Sequence, residues 1–343
     1  MMYQYKTTLP SPPFIDVEGI ANFRDVGGYP VHPPHEHAPP HSIRRGLIFR
    51  SAEPTRVTVD GMHKLQSLGI TTVFDLRSAA EAMKDVKVIM ESDGSQLERV
   101  SVPIFAEDDS DDGKSPRKRR DSVWQNGDAD DDDAARDNEQ KLVVKKTFPA
   151  SYKRCAQHMQ SGVEARLPPF PISATTANSN IPQVFTNAYR EIVHHASSAL
   201  RTILQHILSA PSDPILLHCS LGRDRTGVII AIILSLAGVP DDIIAKEYQL
   251  TEVGLGPMRE EIVQDVLGRE RGTMGKHRKV ECLVGAREVN MLAMLDMLRR
   301  EYGGAEGYVK GKCGFEKGEV EVIRGALVVG VAPIHYSAAG MTG

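Results

Sequence analysis

Cysteine is scarce in this 343-residue chain, and the four present (Cys155, Cys219, Cys282 and Cys313) are scattered with no C-x-x-C pair among them. That excludes a disulfide framework and a zinc knuckle, and it fits a reducing, intracellular setting. An excess of either charge sign is also missing: 41 Lys+Arg stand against 45 Asp+Glu, a formal net charge of -4. No global basic field announces nucleic acid, so none is expected as a partner, and any anion site must be local. Long apolar runs are lacking too. The longest, Val228 to Val239, is too short to cross a bilayer, and the opening MMYQYKTTLPSPPF does not have the basic-then-apolar order of a secretion signal. No transmembrane segment is expected, and the location expected is cytoplasmic, with a nuclear one as the alternative. The phosphate-cradling pattern G-x-x-x-x-G-K-[ST] does not occur either.

What is present alternates between strand-like and helix-like patterns. Residues 59–68 read as a helix, LGITTVFDLRS (68–78) as a turn leading into a β-branched strand, and RVSVPIF (99–105) as a further strand. From Tyr189 onward, Ile192, Val193, Ala196, Leu200, Ile203, Leu204 and Ile207 recur at helical spacing, which predicts one long amphipathic helix ending near Pro211. The strand PILLH follows, then TGVIIAIILSLAG, apolar on all sides and therefore expected as a helix buried in the middle of the fold. Another helix is expected from Pro240 through Tyr248 with Asp241 as its cap, and a last long one over about 284–302, stopping at Gly303-Gly304. The fold class implied is α/β, a central, mainly parallel sheet flanked by helices, in one domain.

Three segments depart from that pattern. Residues 30–43 form a Pro/His loop; His32, His35, His37 and His41 lack ligand spacing in an extended, proline-stiffened chain, so no metal site is expected. Residues 107–140 are dominated by charge and read as a disordered insertion, whose KSPRKRR tract also has the composition of a nuclear-localisation patch. Residues 150–180, rich in Pro, Ser and Asn, read as a loop or lid.

The informative stretch is HCSLGRDRTG (218–227), set between the apolar runs of a strand and a helix. Curled around an anion at the helix amino end, residues 219–225 would aim successive N–H groups inward, the helix dipole would add positive potential, and Arg225 would supply a two-pronged clamp. The same field favours a thiolate at Cys219, which makes it a nucleophile. Ser220, Leu221, Gly222 and Arg223 line the cradle, with Gly222 at the tight turn. Thr226 is placed to hydrogen-bond the sulfur, His218 to hold the loop through its backbone, and Gly227 to let the helix start pack closely.

This loop resembles the signature of the cysteine-dependent tyrosine/serine protein phosphatases. The resemblance is carried further by NFRDVGGY (22–29), GLIFRSAEP (46–54), LGITTVFDLRS (68–78) and AREVNMLAMLDMLRREYGGAEGYVKGKCG (286–314). It implies a single phosphatase domain over 1–343 with a protein-tyrosine-phosphatase-like fold and metal-independent hydrolysis of phosphomonoesters through a phosphocysteine. Cys219 is then the nucleophile and Arg225 the phosphate clamp, and no cofactor is implied. The implied substrates are phosphoproteins carrying phosphotyrosine, with phosphoserine/threonine and phosphoinositides as further candidates. Relatives commonly carry Lys at the position of Arg223, where a basic side chain pointing into the pocket accompanies phosphoinositide activity.

The leaving group needs a proton. Relatives take it from an Asp after a P-F-P-like stretch, but this chain reads VPIFAEDD, so Glu107 and Asp108 are alternative acids and Asp224, fixed beside Cys219, is preferred. Arg24, Asp25, Arg50, Ser51, Asp75 and Arg77 sit at the edges of apolar runs and are expected to form an ion-pair network supporting the loop, with contact to substrate as the alternative. The alternative to an enzyme is a phosphate-reading module with negligible turnover.

Overall fold

The computed structural model describes residues 9–32, 40–82, 97–105, 181–269 and 285–330. The charged insertion at 107–140 with Glu107 and Asp108, the 150–180 segment, His35 and His37, and Cys155 and Cys282 lie outside the described residues. The strands are β1 (Arg24–Asp25), β2 (Pro30–Val31), β3 (His41–Ile43), β4 (Ile48–Ser51), β5 (Thr72–Asp75), β6 (Glu98–Ser101), β7 (Ile215–His218) and β8 (Val328–Gly330). The helices are α1 (Val59–Ser67), α2 (Ala79–Ala82), α3 (Ile181–His195), α4 (Ser197–Ser209), α5 (Asp224–Ala237), α6 (Asp241–Gly254), α7 (Arg259–Arg269), α8 (Glu288–Tyr302), α9 (Gly304–Gly311) and α10 (Lys317–Leu327).

Five strands form the central sheet in the order β1-β4-β7-β5-β6, parallel except for β1, as the α/β expectation requires. Side-chain alternation splits its two faces. Ile48, Phe74, Ile215 and Leu217 pack under α3, α4, α5 and α8, while Phe49, Val73 and Leu216 face α1 through Met62 and Leu65. Strand β7 inserts between β4 and β5, which precede it in the chain, and both neighbours run parallel to it. Its last residue, His218, is in register with Ser51 on one side and Asp75 on the other. A row of polar residues therefore closes the carboxyl edge of the sheet, where α/β folds collect ligands.

Helix α5 is buried along nearly its whole length, matching its all-round apolar sequence, and ends at Gly238 in the left-handed conformation. Three expectations need correction. The single helix from Tyr189 is two, because the chain turns at Ala196 (φ -80°, ψ -9°), whose N–H bonds Val193 O three residues back instead of continuing the α ladder; the apolar stripe runs on across the break, which is why periodicity alone does not reveal it. Helix α6 begins at Asp241, with Pro240 in the cap position and no side-chain cap, and Asp241 pairs with Arg299 at 2.5 Å instead. The Pro/His segment read as a loop supplies strands at both ends, β2 and β3, which form a second, antiparallel sheet with β8. Pro30 is tolerated there because β2 is an edge strand, where a missing N–H breaks no ladder. No described helix is long and apolar enough to cross a membrane.

Candidate active site

The loop Cys219–Arg223 leaves β7 at the carboxyl edge of the sheet and enters α5 at Asp224. Arg223, in the cap position, makes no side-chain cap bond, so among the described residues the first-turn N–H groups have no capping side chain. An uncapped helix start facing a loop is the backbone half of an anion site. Cys219 (3 % exposed) and Arg225 (6 % exposed) both sit at this junction.

Carbonyl directions define the loop. Ser220 O accepts from Glu53 N at 3.1 Å, Leu221 O accepts from Asn22 Nδ2 at 3.1 Å, and Gly222 O accepts from Arg50 Nη2 at 2.6 Å and Asn22 Nδ2 at 3.4 Å. In a trans peptide the N–H opposes the C=O, so three outward carbonyls turn the amides of Leu221, Gly222 and Arg223 the other way, toward the cradle. Gly222 has φ +62°, and a Cβ there would meet Ser51 O at 2.0 Å. No other residue fits so close to β4. Gly227 also holds a close approach, but to the Tyr248 ring of α6, which a Cβ would meet at 2.9 Å.

Arg225 is clamped by a residue the sequence did not single out. Nη1 donates to Glu81 Oε2 at 2.7 Å and Nη2 to Glu81 Oε1 at 2.8 Å, a two-pronged buried pair. Burial works against the arginine charge, yet Glu81 and then Cys219 raise its affinity for the proton above the ordinary value. Ser220 Oγ joins the pair, donating to Glu81 and accepting from Arg225 at 3.2 Å each. Glu81 is itself held by Ser78, whose N–H donates to Oε2 at 2.8 Å. Ser78 and Glu81 spell S-x-x-E, the capping-box signature. That signal was available, but it advertises a helix start, and nothing in it points to an arginine 144 positions away.

Arg223 does not reach toward the cradle. It is fully buried, and its Nε and Nη2 bond the Asp224 carboxylate at 2.9 to 3.0 Å. Tyr189 Oη also donates to Asp224, at 3.0 Å, and contacts Tyr248 Oη at 2.5 Å. Burial raises the protonation range of both phenols, so both stay neutral. Thr226 Oγ1 is buried at the start of α5 and has no hydrogen-bond partner among the described residues. The Leu221 side chain points away, into an apolar cluster with Ala52, Leu255, Ile262 and Val263.

The supporting charges fall into two groups and an outlier. Arg24 and Arg50 share one carboxylate, Glu247, at 2.9 and 2.6 Å. On the other side Asp75 accepts from Arg77 and Arg99, and Arg77 extends to Glu53 at 2.8 Å. Asp25 belongs to neither group; it accepts from Gly27 N and Gly46 N and pins a turn between β1 and β4. Ser51 Oγ bonds the neighbouring Ala52 O.

His218 lies between the two groups, with Nδ1 3.3 Å from Cys219 O and Nε2 3.7 Å from Asp75. Burial, opposed by Asp75, brings it down to about 4, so it is neutral at physiological pH. The unfolded chain takes up this proton near pH 6.5, whereas the folded one waits until about 4. Stability is therefore full above pH 6.5 and falls as pH drops toward 4, by about 3 kcal/mol from this group. Urea melts across that window check the sign: His218→Asn should show a shallower loss than wild type, and equal slopes would assign the loss to other groups.

Comparison with known proteins agrees with this geometry. A family model described as "Tyrosine phosphatase family" matches residues 15–329. The chain is 26% identical over 322 residues to the triple specificity protein phosphatase PtpB of Mycobacterium tuberculosis, covering 91% of this chain and 98% of that one. It is 28% identical over 147 residues to a tyrosine-protein phosphatase of Nostoc commune, covering 43% and 50%. A cysteine and an arginine gathered at an uncapped helix start, within a family match that spans nearly every described element, leave one assignment: the chain belongs to the tyrosine phosphatase family and is a cysteine-dependent phosphatase.

Proposed function

We propose that the protein hydrolyses phosphotyrosine, and secondarily phosphoserine or phosphothreonine, on other proteins, with Cys219 as nucleophile. The observation that carries the reading is the junction itself, where Cys219 and Arg225 meet the inward amides of one loop. Cys219 Sγ attacks phosphorus as the bond to the leaving oxygen breaks, and that oxygen takes a proton from Asp224. Water then attacks the phosphocysteine, its proton returning to Asp224, and inorganic phosphate and the thiolate are released. Arg225 and the loop amides hold the equatorial oxygens throughout, and Thr226 donates to the sulfur as it leaves. His218, Arg24, Asp75 and Arg77 act on the loop from behind.

The burial of Arg223 against Asp224 supports ranking phosphoproteins ahead of phosphoinositides, since a basic side chain used for a lipid headgroup has to be reachable. The mycobacterial relative is named a triple specificity protein phosphatase, which supports a broad substrate range, and phosphoinositides stand as the third class. One observation favours a phosphate-reading module with little turnover: both Asp224 oxygens are engaged by Arg223, and one also by Tyr189. Turnover of a phosphotyrosine peptide, a phosphoserine peptide and a phosphoinositide, in EDTA and with vanadate as inhibitor, decides between these. Vanadate-sensitive turnover in the order tyrosine, serine, lipid is expected. Vanadate binding without turnover of any of the three would leave the binding module. In the same assay Asp224→Asn should slow phosphoserine hydrolysis roughly 100-fold or more while affecting p-nitrophenyl phosphate less, because only the alkoxide needs the proton. Equal losses on both would remove Asp224 from the acid role.

A further inference from the structure

We infer that Asn22 is a positioning residue for the phosphate cradle, and that the buried set Arg24, Arg50 and Glu247 exists to aim it. The inference rests on the phosphatase reading of the loop.

Asn22 lies in the N-terminal turn, 1 % exposed, with a left-handed backbone at φ 58°, a region that asparagine enters more readily than most residues other than glycine. An amide side chain has one accepting and one donating end, and only the donating end can serve a carbonyl. Here the ends are assigned by their partners. Arg24 Nη1 donates to Asn22 Oδ1 at 2.5 Å, which leaves Nδ2 directed at Leu221 O and Gly222 O. Arg24 cannot swing away, because its Nε bonds Glu247 Oε1 and its Nη2 bonds Glu247 O and Thr251 Oγ1. The second Glu247 oxygen holds Arg50, whose other terminal nitrogen donates to the same Gly222 carbonyl. Asn22 and Arg50 thus meet two loop carbonyls directly, and Arg24 and Glu247 hold those two side chains in place.

The charges show that this arrangement is not held for ion pairing alone. Two guanidinium groups share one carboxylate, and burial together with Arg50 brings Arg24 down to about 10. Burial opposes ionisation of Glu247, but Arg50 and Arg24 hold it ionised below its ordinary range. The two loop arginines each have a carboxylate of their own, Asp224 and Glu81. Among the described residues the Arg24–Arg50–Glu247 set has two cations for one anion, and its hydrogen bond to the loop is made to a carbonyl oxygen, Gly222 O. Each outward carbonyl fixes the next amide inward, so loosening Asn22 releases the amides of Gly222 and Arg223, the donors a tetrahedral oxyanion needs.

Two substitutions separate aim from charge. Asn22→Asp keeps the shape and the bond from Arg24 but presents an acceptor to both carbonyls. Asn22→Gly keeps the left-handed backbone and deletes the amide without changing charge. In both folded proteins, inhibition by vanadate should weaken roughly 10- to 100-fold, and alkylation of Cys219 by iodoacetamide at pH 6 should slow, with the larger slowing in Asn22→Asp. A purely structural role would lower the melting temperature and leave both readouts at wild-type values in the folded protein. Wild-type vanadate inhibition and alkylation in Asn22→Gly would overturn the inference, and that variant decides alone should Asn22→Asp not fold. A wild-type protein that neither turns over substrate nor binds vanadate is a different failure, which removes the phosphatase reading and this inference with it.

Discussion

Cys219→Ser is expected to lower hydrolysis of p-nitrophenyl phosphate on the order of 10⁴-fold or more, while the protein should melt as wild type does. The loss is large because a serine hydroxyl is a far weaker nucleophile at neutral pH than a cysteine sulfur. His218, the adjacent imidazole, directs Nδ1 at Cys219 O and is turned to the loop backbone. Stability is retained because the exchange is nearly isosteric at a buried position whose surroundings are otherwise unchanged. The variant should still bind vanadate, since the amides and Arg225 remain. EDTA should leave wild-type turnover unaltered. Hydrolysis persisting in a purified serine variant would move the nucleophile elsewhere.

The second large effect concerns Arg225 and separates activity from stability. Arg225→Met should cost on the order of 10²- to 10³-fold or more in kcat/KM, and it should also destabilise the fold by about 3–5 kcal/mol. The destabilisation arises from Glu81, which is left charged, buried and without its main partner. Replacing both, as Arg225→Met with Glu81→Leu, should recover most of the stability and none of the activity, because an apolar pair of similar volume removes the stranded charge. Denaturant midpoints and kcat/KM for wild type, the two single variants and the double variant form a complete cycle. A single Arg225→Met as stable as wild type would show that the pair is not coupled as its geometry implies.

What the sequence revealed depended on whether partners lie close in the chain. Cys219, Gly222 and Arg225 are separated by a few positions, so one local pattern betrays all of them. The buried helix α5 and the stop of α8 at Gly303 were legible for the same reason, since periodicity and a terminal glycine are local signals. Glu81, Asn22 and Glu247 were not legible as site residues. Each acts on a partner 144 to 223 residues away, and a glutamate within helix α6 reads from sequence as an ordinary solvated face. The direction of Arg223 was also out of reach, because it depends on Asp224 and on Tyr189 packing against Tyr248 from different helices. The break at Ala196 was hidden by an apolar stripe that continues through it.

The long-range pinning of the loop carbonyls also bears on biosynthesis. Asn22, Arg50 and Glu81 emerge early from the ribosome, Cys219 much later, and Glu247 after it. The loop over Cys219–Arg223 is therefore expected to take this shape only once α6 has docked onto strands made some 200 residues before, a non-local closure that is expected to be slow. Until then the Leu221 and Gly222 carbonyls lack the partners that hold them, so an unfinished chain is expected to be inactive, and phosphatase activity is expected to report completed folding.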